Sequence, residues 1–256
     1  MTQLVTPIVT IPIDQQVGET VLNWIPRPHQ LDNPQCTILQ GQYCRLELLN
    51  SKTNDTIIQQ LYDAFKPTEH THFTYLHYGP FQIVDEFKEF IRFKELPSCD
   101  TVFYSIIVNN IAVGFIGFLR INQDHGKIEI GHVNFSPQLL HIRSATEANY
   151  LLLQYAFDIL CYRRVEWTCY SLNTKSRRPA LRLGYQYEGI SLKSEVCKGR
   201  SRDNAVYSIV DNEWILSKQE FQRWLSPENF DSHGQQSTKP NNAQINQRKK
   251  GNTDVV

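Results

Sequence analysis

The sequence predicts an α/β domain, α+β by some conventions, in which a mixed and mainly antiparallel sheet carries helices on its faces. Three observations lead there. Three β-rich runs in the middle of the chain are separated only by tight turns, which makes them antiparallel neighbours. Helix-period and strand-period segments then alternate toward the C-terminus. The 256 residues are also ample to bury a core.

The elements follow in order. Residues 43–49 alternate Cys44, Leu46 and Leu48 against Arg45 and Glu47, a strand. Residues 56–65 place Ile57, Ile58, Leu61 and Phe65 at helical spacing, and Pro67 ends the run. Residues 81–96 repeat the pattern with Val84, Phe87, Phe90 and Ile91 and close at Pro97. Strands at 101–108 and 111–121 meet at Asn109-Asn110, and Asp124, His125 and Gly126 turn the chain into a third, 127–135. Ser136-Pro137 ends this meander. Ser144 opens a helix whose stripe is Ala145, Ala148, Leu152, Tyr155, Ala156 and Ile159, with Glu147 completing a capping box. A strand at 165–170 buries Val165, Trp167 and Cys169. A short helix at 176–183 stops at Gly184, and strands 186–196 and 204–211 flank Lys198-Gly199-Arg200.

Three regions result. Residues 1–40, interrupted by Pro26, Pro28 and Pro34, read as an extended arm lying over a domain at 41–225. Residues 226–256 are rich in Asn, Gln, Ser, Lys and Gly and read as a disordered polar tail, because such a segment cannot bury enough surface to offset its ordering entropy. Arg248, Lys249 and Lys250 read as a solvated part of it.

Lys plus Arg equals Asp plus Glu, 26 each, so no global field favours nucleic acid or an anionic membrane. No stretch approaches the roughly 18 apolar residues of a membrane span, and residues 1–16 lack the basic start of a signal peptide. The six cysteines form no CxxC pair or other metal spacing. These features lead us to expect a reduced, cytoplasmic protein without a metal; the chain is taken as a monomer or homodimer.

A strand leading through a loop to the helix start at Ser144, and then to another strand, is an arrangement that binds anions. The first-turn amides point outward, and the helix dipole favours negative charge. Arg143 stands beside that turn.

The run GKIEIGHVNFSPQLLHIRSATEANYLLLQYAFDILCYRRVEWTCYSLNTKSRRPALRLGYQYEG at 126–189 resembles the GNAT N-acetyltransferases of the RimJ/RimL-like branch. So do KGRSRDNAVYSIVDNEW at 198–214, GQYCRLELL at 41–49 and TYLHYGPF at 74–81. The resemblance implies the GNAT fold, with its fourth and fifth strands, here 127–135 and 165–170, splayed apart. It implies acetyl-CoA as acetyl donor, with the pantetheine arm along Val133, Asn134 and Phe135. The pyrophosphate would sit on Arg143, Ser144, Ala145 and Thr146, and Asn173 and Ser176 would lie beside coenzyme A. Two positions depart from the family. Its Q/R-x-x-G-x-G/A phosphate signature reads Leu140-His-Ile-Arg143-Ser-Ala145 here, and its general-acid tyrosine falls on Ala180. A hydroxyl such as Ser171 or Ser176, or a water, is left to serve the thiolate.

Amine acylation needs a base, since an amine of pKa about 10.4 is protonated at neutral pH. Glu129 is the first candidate and His132 the second. Strand alternation puts Glu129, Gly131 and Val133 on one face and Ile128, Ile130 and His132 on the other, so only one of the pair can face the site. Tyr75 and Tyr78 are candidate walls of an acceptor pocket. The hairpin of Lys198, Gly199, Arg200 and Arg202 reads as solvated. Three activities stay open: acetylation of a protein N-terminus, acetylation of a small amine, and a catalytically weak acetyl-CoA-binding sensor or scaffold.

Overall fold

The computed structural model describes residues 21, 24–32 and 34–245. Eight strands form one sheet: β1 (Ile38–Gln40), β2 (Arg45–Leu49), β3 (Thr101–Val108), β4 (Ile111–Asn122), β5 (Lys127–Phe135), β6 (Arg164–Tyr170), β7 (Gln186–Cys197) and β8 (Arg200–Val210). Their spatial order is β1-β2-β3-β4-β5-β6-β8-β7. Every neighbouring pair is antiparallel except β5 with β6, which run parallel. The helices are α1 (Asp55–Phe65), α2 (Glu69–His72), α3 (Val84–Lys94), α4 (Arg143–Gln154, continued by a π-helical turn at Tyr155–Ile159), α5 (Thr174–Arg182), α6 (Asp211–Leu225) and α7 (Asn242–Ile245). None of them is long and apolar enough to cross a membrane.

The sheet separates two cores. On one face Ile116, Phe118, Ile128, Ile130, Val165 and Trp167 pack with α4 and α6. On the other, Phe103, Ile107 and Phe115 meet Ile58, Leu61 and Phe65 of α1 and Phe87 and Ile91 of α3. Each such fully buried side chain contributes about 1.5–3 kcal/mol of transfer free energy. Helix α6, which periodicity left unassigned, covers α4 through Trp214 against Phe157 (ring centroids 5.2 Å apart) and Phe221 against Tyr150 (5.5 Å).

Four expectations are corrected. Helix α4 begins at Arg143, not Ser144, and Ile142 caps it without a side-chain bond. The Ser144 hydroxyl donates instead to the Tyr43 carbonyl at 3.0 Å. Glu147, the supposed partner in the capping box, is buried and accepts the backbone N–H groups of Gln42, Tyr43 and Cys44 at 2.7–2.8 Å. Three amides from a distant loop outcompete one from the helix's own start. Gly41 makes this approach feasible, because a Cβ there would lie 2.6 Å from the Glu147 carboxyl.

The second correction concerns the tail. Residues 226–245 fold back over α6 and α5. Asn229 is buried and donates to the carbonyls of Trp224 and Thr238, while accepting from the Thr238 N–H and hydroxyl. Phe230 meets Trp224 edge-on at 5.2 Å, and buried Asn242 packs on Gly184, whose φ is +95°. The segment is held by hydrogen bonds and two aromatic rings, which a count of apolar residues does not register. Residues 246–256, with the Arg248–Lys250 patch, lie outside the described residues.

At the other end, residues 1–20 also lie outside them. Residues 24–32 lie against the β4–β5 turn, where the Trp24 indole donates to Asp124 O at 2.8 Å, and against the loop before β6, where the Tyr162 hydroxyl donates to Pro28 O. The remaining two corrections, a bulge in β5 and a bound hairpin, belong to the site.

Candidate active site

Strands β5 and β6 pair at three positions only, Lys127 with Arg164, Ile128 with Val165 and Glu129 with Glu166. Beyond them β6 stays with β8 as far as Tyr170 opposite Asn204, while β5 stays with β4 as far as Phe135 opposite Gly114. The two strands therefore part after Glu129. Val133, Asn134 and Phe135 keep a backbone edge on the β6 side with no strand against it. At the end of this wedge α4 presents a first turn without a side-chain cap. Helix α5 is tied to that turn by Arg182, which donates to the Thr146 hydroxyl oxygen at 2.6 Å. Asn173, just before α5, has a buried side-chain oxygen without a partner. The open edge of β5 at Val133 to Phe135, the uncapped start of α4 at Arg143 to Thr146 and the buried Asn173 oxygen are the features this region offers a ligand. Arg143 does not simply crowd it: its guanidinium lies 4.1 Å over the Tyr43 ring and 5.0 Å over that of Phe230.

Ser176 sits differently. Its oxygen accepts the Trp167 indole N–H at 3.0 Å, so it is bound to the core-facing side of β6.

Glu129 occupies the last paired position before the strands diverge, and it is 2% exposed. The Thr168 N–H and hydroxyl donate to it at 3.3 and 3.2 Å, and Arg120 Nη1 donates at 2.8 Å. Burial is the main influence and pushes its carboxyl up to about 7, against the pull of Arg120 and the hydrogen bonds; the nearby Glu166 adds to the rise.

These features agree with the comparisons. Residues 45–186 match the acetyltransferase (GNAT) domain. A GCN5-related N-acetyltransferase from Brucella melitensis is 39% identical, with a TM-score of 0.77 over 86% of this chain and 97% of that one. This chain belongs to the GNAT acetyltransferases, an acyltransferase family. A probable GNAT acetyltransferase from Chromobacterium violaceum is 36% identical, with a TM-score of 0.70, 80% of this chain and 100% of that one. An uncharacterized N-acetyltransferase, YoaA of Bacillus subtilis, is 32% identical over 98 residues, 38% of this chain; the match spans 55% of its own length.

In this GNAT chain the expected strand alternation fails at His132. Gly131 opposes Gly117 and Asn134 opposes Phe115, so β5 carries one extra residue, and His132 takes a φ of +48°. The bulge turns His132 toward Phe103 and Tyr78, on the face that carries α1 and α3. The charge of Arg120, the partner of Glu129, also acts on His132. Both base candidates therefore face the same side.

Hydrogen bonding then distinguishes them. Asn134 is fully buried, and its amide donates to the Tyr78 hydroxyl oxygen (2.8 Å) and to His132 O (2.8 Å), while its oxygen takes His72 Nε2–H at 2.9 Å. The Tyr78 oxygen, already accepting from Asn134, lies 3.1 Å from His132 Nδ1 and has its own proton to offer there. With Tyr78 as donor, neutral His132 carries its proton on Nε2; burial holds its pKa down at about 3. Tyr78 is a member of this chain, packed 4.2 Å from the Phe90 ring, rather than a free pocket wall.

The turn of the β7–β8 hairpin is solvent-exposed at Lys198, Gly199 and Arg200, but two of the hairpin's cations are bound to the 73–79 loop rather than free. Lys198 Nζ donates to Phe73 O at 2.9 Å and Gly79 O at 3.4 Å. Arg202 donates to Tyr75 O at 3.2 Å and contacts His77 Nε2 at 2.8 Å. Glu195 reaches His77 at 3.0 Å, and the Tyr75 ring meets Tyr170 at 5.6 Å. Carbonyls at the 73–79 loop act as acceptors for the hairpin's cations, a pairing that a charge count along the sequence cannot show. Arg120, Thr168, Glu195 and the Asn134 side chain also escaped the sequence reading. Each acquires its place from strand register, and the pattern around it carries no turn or motif signal.

Proposed function

We propose that this chain transfers an acetyl group from acetyl-CoA to the primary amine of a small molecule, with Glu129 as the base, and that it sits in the RimJ/RimL-like branch of its family. The observation that carries the reading is a buried carboxylate, poised near 7, at the point where β5 and β6 part.

The residues of the cleft fit acetyl-CoA. The unpartnered Asn173 oxygen, the uncapped start of α4 and the open edge of β5 are each short of a hydrogen-bonding partner that such a ligand offers. Backbone groups of Val133 to Phe135 would hold its pantetheine arm, and Arg143 to Thr146 its pyrophosphate. When bound, acetyl-CoA supplies an acetyl group activated as a thioester.

The chain's own work is on the amine. An ammonium has no free electron pair, so a proton must leave before attack, and Glu129 receives it. His132 does not compete, because its Nδ1 already accepts from Tyr78 and its Nε2 bears a proton. With Ala180 in place of the usual tyrosine and the Ser176 oxygen engaged by Trp167, a water protonates the departing thiolate.

The bound hairpin favours a small acceptor over an extended peptide. Lys198 and Arg202 close the gap between the hairpin and the 73–79 loop, where a peptide would lie. A scaffold without catalysis would have no use for a buried carboxylate that ionises near neutrality, which favours the enzyme reading.

The test has two stages. Thermal melting with acetyl-CoA, at about a hundred times its dissociation constant, is expected to show some 2.7 kcal/mol of stabilisation. Thiol release is then measured over small amines and N-terminal peptides, with Glu129→Gln alongside. Turnover confined to small amines and lost in Glu129→Gln is expected. A preference for peptides, or a fully active Glu129→Gln, would defeat the reading.

A further inference from the structure

Arg120 makes ion pairs with both the buried carboxylate of Glu129 and Glu195 of the hairpin. Its φ is +50°, a left-handed conformation that a side chain with a Cβ adopts only under constraint. It lies in the irregular stretch of the β4–β5 ladder between Leu119 and Asn122, and the next amide, Ile121 N–H, is fixed by Asp100 at 2.5 Å. The conformation directs one guanidinium at two carboxylates. Nη1 meets Glu129 Oε2 at 2.8 Å, and Nη2 meets Glu195 Oε1 at 3.2 Å. Glu195 in turn lies 3.0 Å from His77 and 3.6 Å from Arg202. The Arg120 side chain is half exposed and that of Glu129 is 3% exposed, so the guanidinium stands between the carboxylate and solvent.

We infer that Arg120 is a positioning residue that keeps Glu129 ionised and fixed in direction, and that Glu195 sets how strongly it does so. The inference rests on Glu129 being the base. The groups around that carboxylate support it. From β4 comes Arg120, the strongest positive influence. From β6 come Thr168, which donates two hydrogen bonds, and Glu166, whose charge opposes ionisation. Cys169 on β6 and Tyr185 ahead of β7 feel the carboxylate and are themselves pushed up by burial, so they stay neutral. His132 on β5 is neutral as well. Without Arg120, only the Thr168 hydrogen bonds would oppose burial and Glu166. Glu195 competes for the same guanidinium and thereby weakens its hold on Glu129.

The test uses the ligand-free, full-length protein with 13C-labelled glutamate carboxyls, titrated by NMR. Glu129→Gln identifies the resonance by removing the signal that titrates near neutrality. In Arg120→Met that midpoint is expected to rise by about one pH unit, the lower end of the effect of an adjacent opposite charge because the guanidinium is half exposed. Arg120→Lys restores most of the difference. Glu195→Gln, which leaves the β4 backbone untouched, is expected to move the midpoint the other way, by a few tenths of a unit. An unchanged midpoint in folded Arg120→Met overturns the inference, as does an upward move in Glu195→Gln. Loss of no neutral-range signal in Glu129→Gln would instead remove the base assignment, and this inference with it.

Discussion

Glu129→Gln is expected to make the protein more stable, and by an amount that grows with pH. The carboxyl titrates near 7 in the folded protein against 4.5 for a free glutamate, because burial disfavours its charge. Its folded pKa is thus raised. The neutral acid favours folding at low pH, and that contribution is lost as pH rises between 4.5 and 7. Above pH 8 the folded state carries the full penalty of the buried charge. A shift of about 2.5 units corresponds to about 3 kcal/mol. Glutamine resembles the neutral acid in size and polarity and never pays that penalty. The two proteins should therefore melt at similar temperatures at pH 4–5. They should diverge by several degrees at pH 8–9, since 1 kcal/mol moves the midpoint of a chain this long by about 2–4 °C. Scanning calorimetry of both proteins from pH 4 to 9, without ligand, measures the difference directly. A difference that stays flat across that range would mean the carboxylate is ordinary and solvated, and the argument for a poised base would fall. A residue kept at a cost to stability, in a variant that loses turnover, is what catalysis rather than packing would select.

Three further outcomes follow from particular contacts. Glu147→Ala leaves the amides of Gln42, Tyr43 and buried Cys44 without their acceptor; it should cost about 2–3 kcal/mol, read as a lower urea midpoint at unchanged slope. Lys198→Ala combined with Arg202→Ala removes the donors to Phe73, Gly79 and Tyr75; peptide acceptors should gain relative to small amines in competition assays, and no gain would mean the latch does not set acceptor size. Asn173→Ala deletes the unpartnered oxygen at the start of α5; acetyl-CoA affinity by calorimetry should fall about tenfold, or 1.4 kcal/mol, and equal affinity would place the nucleotide elsewhere.

The sheet was legible because its strands obey two-residue alternation and its main helices carry clear apolar stripes. Arg164–Tyr170 buries every second residue, as its sequence announces. What stayed hidden had no local signal. The three residues of β1 are too few to show a period. Helix α6 spreads its buried Trp214, Phe221, Trp224 and Leu225 across a polar run, and only the packing of α4 reveals why they face inward. The folded tail hangs on Asn229, a residue that propensity assigns to turns and solvent.

The site shows the sharper limit, and His132 is where it is felt. Periodicity can place a side chain on a face only while the ladder is regular, and one extra residue reverses every assignment beyond it. Nothing at His132 signals a left-handed φ, since the glycine that would advertise it stands one position earlier at Gly131. The reversal is chemically decisive. It brings Asn134 to the face of Phe115 and lets Tyr78 reach His132 Nδ1, a contact through which Tyr78 can hold the imidazole in its Nε2-protonated form. With strict alternation the two groups would lie on opposite faces and either could be argued to be the base. With the bulge they share a face, their protons are assigned by the hydrogen-bond chain, and only the carboxylate has room for another.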